Sequence, residues 1–111
     1  MTVGEMAAVT MKCDELRAAF EFVMKSSRTS RARITVGYDG RELILLRARS
    51  SARVPAAGHW PGIATIYGRG VVEKLALLSL GGGEVTLRVL GQHLSFGEFV
   101  VDCSWEGPRG R

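Results

Sequence analysis

Cysteine, proline and histidine are all scarce in this chain, and each shortage removes a class of function. The only cysteines are Cys13 and Cys103, with neither a metal-ligand nor a dithiol spacing between them. A zinc site or a redox motif therefore finds no support, and a reducing compartment with two inert core thiols is the simpler expectation. The two histidines, His59 and His93, form no HxH, HExxH or Cys-His pattern, and nothing resembles a nucleophile elbow. The glycine run at 81–83 is not followed by Lys-Ser or Lys-Thr, so it reads as the cap of a helix rather than a phosphate loop. No apolar run approaches the ~18 residues of a membrane span. The N-terminal stretch Met1–Thr10 carries Glu5 where a leader would need basic residues ahead of an apolar core. The expectation is a cytoplasmic protein, not an enzyme, with no cofactor and no membrane partner.

What is present suits one globular domain over residues 1–111, with an ordered core over about 9–105 and a polar tail at 106–111. The composition is 46% hydrophobic and 23% charged, far from a disordered chain. Fifteen lysines and arginines face 11 acids, for a net charge of +4, which favours anionic partners such as nucleic acid.

Val9-Thr10-Met11 alternates as a short strand, and Asp14 reads as the cap of a following helix. Leu16, Ala19, Phe20 and Val23 recur at helical spacing up to about Ser26, while Arg17, Glu21 and Lys25 point away from that face. Ile34, Val36 and Tyr38 alternate as a strand, Asp39-Gly40 predicts a tight turn, and Leu43–Leu46 predicts the return strand. That strand is expected to run to about Val54, with a loop to Gly62 marked by Pro55, Gly58 and Pro61. Ile63–Tyr67 reads as a further strand, and Gly68-Arg69-Gly70 as a break. Val71, Val72, Leu75 and Leu78 predict a second helix. Val85, Leu87 and Val89, a turn at Gly91-Gln92, and Leu94 and Phe96 predict a second hairpin. Phe99 and Val101 predict a last strand, Phe99–Cys103, with an open edge.

The segments Val9-Thr-Met-Lys-Cys-Asp-Glu-Leu and Ile34-Thr-Val-Gly-Tyr-Asp-Gly-Arg-Glu-Leu resemble the first strand, helix start and hairpin of a bacterial DNA sliding-clamp domain. Ala64-Thr-Ile-Tyr-Gly-Arg-Gly-Val-Val-Glu-Lys-Leu and Gly83-Glu-Val-Thr-Leu-Arg-Val-Leu-Gly-Gln-His-Leu-Ser-Phe are similar to the strand that enters the second clamp helix and to the hairpin after it. The resemblance covers roughly residues 9–105. It implies an α+β, DNA-clamp-like domain with two helices packed on antiparallel sheets in a repeated helix-then-strands order. A clamp ring is similar to six such domains around a hole, so a ring built from this chain implies homo-oligomers paired through strand edges. The resemblance further implies duplex DNA as a partner, met by Arg17, Lys25, Arg28 and Arg31 around the first helix and by Arg69 and Lys74 around the second. Those contacts would go to phosphates, without sequence specificity. A different class of function also fits the residues. The 56–62 loop, through His59 and Trp60, would hold a replication or repair protein, making the chain an interaction adaptor with no DNA role.

Overall fold

A computed structural model describes residues 6–25, 32–79 and 82–107. The apolar alternation of Ala7, Val9 and Met11 makes β1 (Ala7–Lys12), with those three side chains buried on one face. The chain then turns directly into α1 (Cys13–Met24), which buries Cys13, Leu16, Ala19, Phe20 and Val23. Lys12 occupies the cap position without a side-chain hydrogen bond. Asp14 therefore does not cap the helix as expected; it lies with Glu15 in the first turn, where carboxylates offset the positive end of the helix dipole.

Beyond α1 come β2 (Arg33–Tyr38), β3 (Glu42–Arg47) and β4 (Ser50–Pro55). The single strand expected to run to Val54 is thus two strands, joined at Ala48-Arg49. Ala48 holds φ 51°, a left-handed conformation that usually takes glycine. The two other two-residue hairpin loops do have glycine at the corresponding place, Gly91 at φ 65° and Gly97 at φ 61°. Relief of this strain outweighs the extra chain entropy of glycine, so Ala48→Gly is expected to raise stability by about 0.5–1 kcal/mol, read from the midpoint of urea unfolding.

The segment expected as a loop contains β5 (Ala57–His59), followed by β6 (Ile63–Tyr67) and α2 (Gly68–Ser79). The glycines read as a break are the first turn of α2. The chain ends with β7 (Glu84–Leu90), β8 (His93–Phe96), β9 (Phe99–Asp102) and β10 (Ser104–Glu106).

The strands form two five-stranded antiparallel sheets, ordered β5-β1-β7-β8-β9 and β10-β6-β2-β3-β4. Exchange of the two halves of the chain carries one order onto the other strand for strand. The registers follow the same rule: β1 meets β7 with Met11 opposite Val85 and Thr10 opposite Thr86, and β6 meets β2 with Ile66 opposite Ile34 and Thr65 opposite Thr35. The Thr10 and Thr86 hydroxyls share a 2.7 Å hydrogen bond. Both helices have 12 residues, and they pack on each other, with α1 also against β3 and β4. One apolar cluster joins both sheets and both helices around Phe20, Ile34, Leu43, Leu75, Leu87 and Phe96.

Candidate interaction surfaces

Of the residues expected to meet DNA, Arg17 lies half-buried on α1 and forms an i,i+4 ion pair with Glu21 at 3.1 Å. Lys25 is exposed at the C-cap of α1, and Lys74 is half-buried on α2. Arg69 belongs to the first turn of α2, with its side chain outside the described set. Arg28 and Arg31 lie outside the described residues. Asp14, Glu15, Glu21 and Glu73 are exposed on the same two helices. The described helix surface is therefore of mixed sign. Phe22 and Leu77, 57% and 60% exposed, lie at equivalent places on the two helices. A cleft of about 230 Å³ between the helices is lined by Glu21, Met24, Val72 and Glu73.

The chain turns between Arg47 and Ser50, so Arg47 ends β3 while Arg49 stands in the loop. The Arg47 guanidinium donates to the Val23 carbonyl at 2.6 Å, placing a cation at the C-terminal end of α1. Arg53 stands on the outer face of β4, 3.3 Å from Asp39 and 3.4 Å from Glu42.

Trp60, the aromatic expected as an anchor at 56–62, lies in the core. Trp60 is 3% exposed and its Nε1–H donates to the Val36 carbonyl at 3.1 Å. Its ring meets Trp105 edge-on, with centroids 5.6 Å apart. A partner pocket cannot receive a side chain already held by the core. His59 is exposed on β5, with Ala8 of β1 as its cross-strand neighbour. Gly62 is what lets the chain pass here: a Cβ would stand 2.2 Å from the Glu106 carbonyl oxygen.

The thiols are poor nucleophiles. Burial raises the pKa of Cys13, with Asp14 adding to the effect; burial raises that of Cys103, with Asp102 adding likewise. Cys13 borders a depression of about 340 Å³ shared with Glu84, Thr86, Arg88 and Ser95. Among the described residues no three His, Cys, Asp or Glu side chains gather as a metal cluster, and no helix is long and apolar enough to cross a membrane.

The Asp39 carboxylate is held below its ordinary pKa, first by the backbone N–H of Glu42, then by that of Arg41, both donating at 2.8 Å, and in smaller part by Arg53. A lowered folded-state pKa contributes stability above the unfolded value, about 3.9, that is lost as pH falls through the folded value. Asp39→Ala is therefore expected to be less stable than the parent at neutral pH, with the gap closing in strong acid. Parallel urea titrations at neutral and acidic pH measure this.

The sheet edges are the remaining feature. Among the described residues, β4 and β9 each pair on one side only, as do β5 and β10. The outer-face residues of β9 and its preceding turn are Glu98, Val100 and Asp102, all exposed; those of β4 and its turn are Arg49, Ser51 and Arg53, also exposed. No protein-family model matches the chain, and a search of curated proteins finds no relative.

Proposed function

We propose that the chain is a non-catalytic, sliding-clamp-like module that assembles with copies of itself through its sheet edges and meets DNA without sequence preference. One observation carries most of this reading. The two sheets interconvert strand for strand when the halves of the chain are exchanged, which is the repeated plan that the sequence's resemblance to a clamp domain implies. The plan leaves edge strands of six residues at β4 and four at β9, whose outward backbone groups invite another strand. The adaptor alternative loses its anchor with the burial of Trp60.

Net charge +4 supports an anionic partner. In this reading Arg17, Lys25 and Lys74 meet phosphates, and the acids beside them keep the contact weak. Light scattering on the purified chain should give a mass that rises above 12.0 kDa with concentration; a mass that stays there throughout rejects assembly. Anisotropy of a labelled duplex tests the other half. Replacing Arg17, Lys25 and Lys74 together by alanine should weaken binding and reduce the slope of log K against log salt by about 3. An unchanged affinity rejects the DNA contact.

A further inference from the structure

The outward face of α1 carries a short stripe that is complementary to itself. Glu15, Ala18, Phe22 and Lys25 are all exposed. Steps of three, four and three residues set them in one line along the helix, turned away from the buried Leu16, Ala19, Phe20 and Val23. Lys25 keeps helical backbone angles at the C-cap and so continues the line. Phe22, an aromatic ring 57% exposed, offers nothing to a phosphate. Among the described residues neither Glu15 nor Lys25 holds an ion pair.

We propose that α1 packs antiparallel against α1 of a second copy, about a twofold axis through the middle of the stripe, with Phe22 of each over Ala18 of the other and Lys25 of each opposite Glu15 of the other. This contact goes beyond the edge assembly above: it uses no sheet edge, and being isologous it stops at two copies.

Size and charge select the same register. Glu15 and Lys25 stand equally far from Phe20, one on each side, and so do Ala18 and Phe22. A single antiparallel alignment therefore makes both matches, and the twofold axis makes each of them twice. The small Ala18 leaves room for the ring of Phe22, which loses its contact with water. A parallel alignment in register would instead set Glu15 on Glu15, Phe22 on Phe22 and Lys25 on Lys25, joining like charges and large side chains. Asp14, exposed beside Glu15 in the first turn, adds to the negative end that receives Lys25, and the antiparallel arrangement also opposes the two helix dipoles. Glu21 meets its counterpart on the flank near the axis, but each is held at 3.1 Å by Arg17 of its own helix, so the flank is compensated. Two helices of 12 residues bury much less than the ~1,200–2,000 Å² of a stable complex, which makes this a weak dimer of concentrated protein. Lys25 is also a phosphate contact in the function proposed above, so a duplex and a second copy compete for this face.

Zero-length carbodiimide cross-linking of mixed ¹⁴N- and ¹⁵N-labelled protein reads this contact apart from any pairing of sheet edges. Within one helix Lys25 and Glu15 are about 15 Å apart, too far to couple, so a Lys25–Glu15 link joining a light to a heavy peptide comes from two copies. The parent should give this link in mass spectra, and Phe22→Asp should lose it. Glu15→Lys and Lys25→Glu should each weaken the dimer about tenfold, followed by light scattering in the Phe22-containing chains, with circular dichroism confirming the fold of every variant. The double variant and an equimolar mixture of the two single variants should both recover, because every charged pair in them is again of opposite sign. Absence of the inter-copy link from the parent overturns the proposal, and so does charge reversal without effect. Either result leaves edge assembly standing, since mass that still rises with concentration in Phe22→Asp belongs to the edges.

Discussion

Replacing Phe20 by alanine is expected to cost about 3–5 kcal/mol of unfolding free energy, a large share of the ~5–15 kcal/mol that holds a domain together. The ring is wholly buried at the centre of α1, in the cluster that joins both helices to both sheets. Its removal leaves a cavity between elements drawn from both halves of the chain, and the surrounding strands are too constrained by their registers to collapse into it. Phe22, two residues further on, is the control. It is largely exposed, and Phe22→Ala should change stability by no more than about 0.5 kcal/mol. Urea unfolding of the two variants beside the parent measures the contrast. Equal effects would mean that α1 is rotated about its axis from the placement described.

Trp60→Ala should be comparably severe, again about 3–5 kcal/mol. Trp60→Phe divides the effect into its parts, since phenylalanine keeps much of the apolar volume and removes the N–H that donates to the Val36 carbonyl. Its expected cost is about 1–3 kcal/mol, for the lost ring volume together with one buried hydrogen bond. Emission of a Trp105→Phe variant reports on the same side chain. Strongly blue-shifted, quencher-resistant fluorescence from Trp60 is the expected result, and emission near that of free indole would return the residue to the surface and with it the adaptor reading.

These two residues also mark where the sequence was legible. Phe20 announces itself through the spacing of Leu16, Ala19 and Val23, a local signal on one helix. The strands around Val9, Ile34, Leu87 and Leu94 are equally plain, because alternation on a half-buried sheet is written into neighbouring residues. Trp60 is not. Its flanking proline and glycines read as a solvent-exposed loop, and its burial depends on the carbonyl of Val36 and the ring of Trp105, both remote in sequence. The short strands β5 and β10 carry no periodic signal in three residues each. The hairpin at Ala48-Arg49 was missed for a chemical reason: an alanine occupies a left-handed position where glycine would have advertised the turn. The start of α2 was hidden by the opposite error, since Gly68 and Gly70 look like punctuation yet form a helical turn.

The candidate surface divides the same way. The edge strand expected at Phe99–Cys103, and found at Phe99–Asp102, is readable from a run of alternating residues. The second edge required knowing that the chain reverses at Ala48, and the opposition of charge between the edges appears only when both are known. Arg47 is tied to the end of α1 through the Val23 carbonyl, a contact remote in sequence.

The crossed arrangement of the sheets bears on how the chain reaches its structure. Each half contributes its leading strand, β1 or β6, to the sheet that contains the other half's hairpins. Neither half encloses a core of its own, and a nascent chain that has emerged only as far as β6 holds β1 without the neighbour β7 that flanks it. The pairing that completes the first sheet waits for residues more than half the chain away. Folding should thus be late, all-or-none and slow for a protein of this size, as expected where distant contacts dominate. Until β7 arrives, the exposed side of β1 is open to the β7 of another copy, so crowding during synthesis would favour intertwined chains that share strands rather than neighbours that merely touch.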